Sequence, residues 1–152
     1  MKKTGTHITI YHNGFDHLDE VCRLNRLVFG EERLINRLDH QPLIFLTAHC
    51  EGQLAGFKIG YAFSTKTFYS AKGACSPFFR RQGVASKLLF AMAARAASLG
   101  FRYLAYDTFP RSFPGMLVLG LKYGFRIEHV VWSDEFNDFR VRLELPLQSP
   151  KK

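Results

Sequence analysis

A strand, a short basic turn and a helix follow one another without a break between Phe68 and Leu99, and this run constrains the chain more than any other. Phe68–Cys75 is extended in character and is closed by Ser76-Pro77, where proline cannot continue a hydrogen-bonded ladder. Val84, Leu88, Met92, Ala96 and Leu99 then recur at helical spacing until Gly100 ends the run. Between them lies Arg80-Arg81-Gln82-Gly83-Val84-Ala85-Ser86, and a second extended run, Phe101–Tyr106, follows the helix. Such a strand–helix–strand unit pairs its strands in parallel. A tight basic turn at a helix start also presents free backbone N–H groups and a positive helix end, a cradle for a phosphate. Taken alone, the stretch is more safely read as an ordinary helix start with exposed arginines and nothing bound.

The remaining segments assemble around this unit. Thr6–Tyr11 alternates as a strand, Asp16 is placed to cap a helix carrying Val21, Leu24, Leu27 and Val28, and Gly30 ends that helix. A second short helix is predicted from Glu31 to about Asp39, through Leu34, Ile35 and Leu38. Pro42–Cys50 and Gln53–Ala62 read as a hairpin turning at Glu51-Gly52. Ser112–Tyr123 is a last helix, and Phe125–Trp132 with Phe136–Leu145 a closing hairpin. The predicted order is β-α-α-β-β-β-α-β-α-β-β. The chain of 152 residues reads as one domain, residues 1–152, with no linker or repeat.

Composition narrows the function classes. No apolar run reaches membrane-spanning length and Met1-Lys2-Lys3-Thr4 opens no signal-peptide core, so a cytoplasmic protein without a membrane partner is expected. Cys22, Cys50 and Cys75 are an odd number without metal-ligand spacing, which predicts reduced, buried thiols and no metal. The net charge of +8 favours anionic ligands. Its lysines and arginines are scattered rather than blocked, so nucleic acid is not the expected partner.

Arg80-x-x-Gly83-x-Ala85 after Ser76-Pro77 matches the Arg/Gln-x-x-Gly-x-Gly/Ala signature of the GNAT superfamily of acyl-CoA-dependent N-acyltransferases. Met116-Leu117-Val118-Leu119-Gly120-Leu121-Lys122-Tyr123-Gly124-Phe125 resembles the last helix of that family and its Gly-Phe exit into a strand. The resemblance covers residues 6 to 146. It implies an α/β (α+β) fold: a mixed central sheet of about seven strands, helices on both faces, and parallel strands 4 and 5 splayed apart. It implies an N-acetyltransferase with acetyl-CoA as co-substrate, acting by direct attack of a primary amine. A small molecule is the expected acceptor, with a peptide amine or a non-catalytic acyl-CoA-binding domain as alternatives, and the protein is expected to be a monomer or homodimer.

On that resemblance, Arg81, Gln82, Gly83, Val84 and Ala85 offer backbone N–H groups to the pyrophosphate, Ser86 a hydroxyl and Arg80 or Arg81 a charge. Ala74, Cys75 and Pro77 are expected to line the pantetheine arm, with the Cys75 N–H donating to the thioester carbonyl. The family's tyrosine acid lies four residues before the Gly of Gly-Phe, and that position here is Gly120. The candidate proton carriers are therefore Asp107, Tyr123 and Tyr69, with Tyr106 a further hydroxyl. Glu31, Glu32 and Asp107 are the candidates for binding a cationic acceptor, although first-turn glutamates and a turn aspartate are also ordinary features.

Overall fold

The long strands carry apolar residues on both faces, so the sheet they build has to be covered twice. Seven of the eight residues of β2 (Leu43–Cys50) are buried. The computed structural model describes residues 7–148. Along it β1 (Ile8–Tyr11), α1 (Leu18–Phe29) and β2 are followed by β3 (Gln53–Ala62), β4 (Thr67–Cys75), α2 (Val84–Ser98), β5 (Tyr103–Thr108), α3 (Pro114–Lys122), β6 (Arg126–Ser133) and β7 (Asp138–Pro146). The strands form one mixed sheet in the order β1-β2-β3-β4-β5-β7-β6. Thr6, expected in the first strand, lies outside the described residues.

Strand alternation sorts the side chains into two cores. On one face Leu46, Phe68, Leu104 and Leu143 pack with Val84, Leu88, Leu89 and Met92 of α2. On the other Phe45, Phe57 and Ile59 pack with Val21 and Leu24 of α1 and with Leu34. The β2–β3 turn has both central residues left-handed, Glu51 at φ 50° and Gly52 at φ 78°, as a two-residue hairpin requires.

Two expectations are corrected. Asp16 does not cap α1: it lies in a short 3-10 turn, Gly14–His17, whose cap is Asn13, accepting from the Phe15 N–H. Residues 31–39 form isolated bends and a turn at Leu38-Asp39 rather than a second helix. The cause is Asn25, fully buried, whose amide donates to the carbonyls of Glu31 (2.8 Å) and Arg33 (3.2 Å). Those carbonyls are the acceptors a helix starting at Glu31 would need. Leu34 is still buried against α1, so the apolar positions reach the core without the helical hydrogen bonds.

One irregularity shapes the centre of the sheet. β3 and β4 pair antiparallel, and their register slips so that Ile59 faces Lys72 while Gly60 faces Ser70. Ala71 is the extra, bulged residue. The parallel pairing of β4 with β5 ends at Tyr69–Ala105, just before this bulge. Beyond it the two strands separate, as the resemblance implies.

Candidate active site

The separated part of β4 runs from the bulge to Cys75, and ladder geometry decides where its backbone groups point. The Ser76 N–H donates to the Ala55 carbonyl of β3 at 2.7 Å. In an antiparallel ladder neighbouring residues face opposite ways, so Cys75 and Gly73 turn their N–H and C=O groups away from β3, into the gap beside β5. Ala74 turns toward β3: its carbonyl oxygen lies 2.8 Å from where a Cβ on Gly56 would stand. The backbone of Ala74 is thus engaged in the sheet, and Gly73 takes the place expected for it.

Beyond Cys75 the chain makes a short 3-10 turn, Pro77–Phe79, capped by Ser76, and then the basic turn. Arg81 has φ 64° and Gly83 φ 82°, so the turn is built from two left-handed residues flanking Gln82. No atom lies within 4 Å of a Cβ placed on Gly83, which leaves open space above the helix start. Gly83 caps α2 without a side-chain hydrogen bond, so the first N–H groups of the helix have no side-chain acceptor. Arg80, Arg81 and Gln82 are exposed around them. The Ser86 hydroxyl donates to the Tyr123 hydroxyl at 3.3 Å, which brings two of the candidates together at the edge of this turn. The Tyr123 ring stands edge-on to Phe90 of α2, 4.6 Å between centroids. Burial raises the pKa of the Cys75 thiol, which keeps it protonated and argues against a covalent role.

The other candidates lie on the α1 face of the gap. Asp107 is inside β5, directly opposite Arg142 of β7, and is not the turn residue the sequence suggests. Its carboxylate accepts from Arg142 Nε, from Arg142 Nη2 at 3.1 Å and from the Tyr69 hydroxyl at 3.0 Å. Burial, then the charge of Asp107, raises the Tyr69 pKa and holds its proton in place. Arg142 stacks over both Tyr69 and Phe63. Tyr61 adjoins Tyr69, with ring centroids 5.7 Å apart. Glu31 pairs with Lys72 of β4 at 2.7 Å, whereas Glu32 pairs with Arg26 of α1 at 3.1 Å on the outer surface. Phe29, at the end of α1, reaches Phe113 ahead of α3, with ring centroids 6.1 Å apart. That contact joins the β4 side of the gap to the β5 side.

Gly120 has a packing explanation. A Cβ there would lie 2.1 Å from the Tyr106 hydroxyl and 2.9 Å from Leu143 Cδ1. The hydroxyl itself donates to the Met116 carbonyl at 2.7 Å, and burial raises its pKa. The glycine makes room for this tyrosine rather than for a ligand.

Two residues near the gap escape sequence reasoning. Arg142 sits in an alternating strand where an arginine reads as solvent-facing. Lys58 of β3 is 5% exposed. A charged residue in an apolar strand between Gly56 and Gly60 is the signal that could have found it. Among the described residues no group of His, Cys, Asp and Glu side chains is arranged to hold a metal ion, and no helix is long and apolar enough to cross a membrane.

The model of the acetyltransferase (GNAT) family matches residues 13–114, more than half of the chain. No curated protein sequence matches significantly. Among solved structures, the ribosomal-protein-S18-alanine N-acetyltransferase of Escherichia coli superposes with a TM-score of 0.80 at 15% identity, over 96% of this chain and 97% of that one. A GNAT acetyltransferase of Elizabethkingia anophelis with acetyl-CoA bound gives 0.70 at 21%, over 92% and 98%. An aminoglycoside 6'-N-acetyltransferase complexed with coenzyme A gives 0.76 at 13%, over 95% and 99%. These likenesses agree with the seven-stranded sheet and its splayed parallel pair, and with the match to the family model they lead to one conclusion: the chain belongs to the acetyltransferase (GNAT) family.

Proposed function

We propose that this acetyltransferase moves the acetyl group of acetyl-CoA, its co-substrate, to a primary amine on a small molecule. The observation that carries the reading is the unpaired inner edge of β4 leading straight into an uncapped basic turn. An extended pantetheine arm adds to the Gly73 and Cys75 edge as a further strand. The N–H groups of Arg81–Ala85 and the Arg80 and Arg81 charges receive the pyrophosphate, joined by the Ser86 hydroxyl once it turns from Tyr123. Pro77 fixes the exit from strand to turn. The Cys75 N–H then faces the thioester oxygen, where charge develops as the amine attacks.

The acceptor enters on the α1 face. Asp107, pinned by Arg142 and Tyr69, is a fixed negative end for an ammonium group. With its oxygens already engaged it orients the amine rather than acting as a free base. Glu31 stands at the same face through Lys72, while Glu32 faces outward and carries less of this role. The Phe29–Phe113 contact and the Tyr61–Tyr69 pair give this side aromatic walls, which suit a small amine better than an open peptide groove. The relatives named above include enzymes for an aminoglycoside and for a ribosomal protein, so both acceptor classes belong in the test.

The test is release of coenzyme A thiol from acetyl-CoA across a panel of small amines and peptides, wild type beside Gly83→Trp. Amine-dependent release by wild type, lost when the indole fills the space over the helix start, is the expected result. Release with peptides alone would move the acceptor to protein. Calorimetric binding of acetyl-CoA without release for any amine would reduce the chain to a binding domain.

A further inference from the structure

The missing tyrosine at Gly120 leaves the departing thiolate without an acid, and the space it would use is filled by Tyr106. A different group stands at the gap. Along β3, a Cβ on Gly56 would meet Val84 and Leu88 of α2 and one on Gly60 would meet Met92. Lys58, between them by strand alternation, therefore points to the same face, the face that also carries α3. It is paired with Gly73 of β4 across the ladder. Because Gly73 has no side chain, the lysine lies across it: Nζ is 3.3 Å and Cγ 3.6 Å from where a Cβ on Gly73 would stand. Gly73 is on the inner edge of β4 and only two positions before Cys75, a separation of about 7 Å along a strand. The ammonium thus ends over Gly73 on the α2 face of β4, one of the two backbone positions proposed to hold the thioester arm.

Among the described residues no carboxylate is paired with this charge: none of the ion pairs includes Lys58, and the residue is 5% exposed. Its Nζ is not among the buried side-chain atoms left without a partner, so the apolar stem is covered while the ammonium itself keeps contact with the outside.

We propose that Lys58 is the proton donor to the coenzyme A sulfur, replacing the acid that Gly120 cannot supply; this rests on the cofactor reading above. The amine nitrogen bonds to the thioester carbon, the carbon–sulfur bond breaks with its electron pair going to sulfur, and Lys58 passes one ammonium proton to that sulfur. The proton shed by the new amide nitrogen goes to solvent, from which neutral Lys58 is recharged. Burial pushes the Lys58 pKa down to about 8, close to that of an ordinary thiol, so the transfer is nearly balanced in both directions.

The proposal predicts a property of the product complex that needs no acceptor. The thiol of bound coenzyme A is titrated by the ultraviolet absorbance of its thiolate, with the complex of desulfo-coenzyme A as blank. In wild type the thiol and Lys58 titrate as a coupled pair, and the thiolate appears roughly one pH unit or more below its value in free coenzyme A. In Lys58→Met that displacement disappears, while calorimetry at a pH below both titrations, where the thiol is protonated free and bound, gives an unchanged Kd for coenzyme A. With an amine substrate, kcat falls roughly a hundredfold or more in the variant at constant KM for acetyl-CoA. A wild-type complex whose thiol titrates as in free coenzyme A overturns the proposal, whether or not the variant folds, and leaves the cofactor site standing. Absence of coenzyme A binding by wild type removes the site and the proposal together.

Discussion

Gly120 is a residue whose meaning reversed between sequence and structure. Next to a family pattern it reads as a lost acid or an enlarged pocket, yet its hydrogen occupies the only space left by the Tyr106 hydroxyl. Gly120→Ala should cost about 1–3 kcal/mol through overpacking, measured by urea unfolding. Removing the obstructing oxygen with Tyr106→Phe should recover most of that loss, so the double variant is more stable than the sum of the singles. His49 makes a second prediction at this scale. Its ring lies 4.4 Å from that of His17 and its Nε2 is buried without a partner. Burial first, then the neighbouring His17 charge, lowers its pKa below the ordinary 6.5. The unfolded chain therefore binds this proton more readily than the folded one. The stability is complete above about 6.5 and is lost as pH falls toward the depressed folded value. Urea midpoints measured down through this window should decline in wild type and decline less steeply in His49→Gln.

At the scale of elements, the decisive one is β4, and its working part is the bulge. Ala71 ends the pairing with β5 while leaving the face of every flanking side chain unchanged: Ser70 and Gly73 lie toward α2, Lys72 toward α1. Deleting Ala71 should keep those faces, extend the parallel ladder and close the gap. The expected outcome is a folded protein, by circular dichroism, whose calorimetric affinity for acetyl-CoA drops at least about tenfold. The bulge was not legible beforehand, because a one-residue slip leaves no trace in a run where both faces are apolar. The strands, α2 and the hairpin at Glu51-Gly52 were legible, since period and turn chemistry agree there. The helix expected after Gly30 was not, because a single donor on the preceding helix, Asn25, claims the carbonyls that local pattern assigns to helical bonds. The turn ahead of α2 was readable as a turn, with the helix starting at Val84; Lys58 and Arg142 were missed because strand periodicity assigns a face without saying what that face meets.

For the whole molecule, the sheet order matters most where it departs from chain order. β7 lies between β5 and β6, so the last strand in sequence is an inner strand in space. It is the antiparallel partner of β5 along six residues and brings Arg142 to Asp107. The first six strands, in contrast, include the whole β4 edge and the turn for the donor. Synthesis from the N terminus therefore builds the two halves of the site at different times. A nascent chain stopped before Asp138 has everything proposed to grip acetyl-CoA but lacks the guanidinium that pins Asp107, the carboxylate proposed to orient the acceptor amine. Translation through the final strand is, in that sense, the step that arms the enzyme.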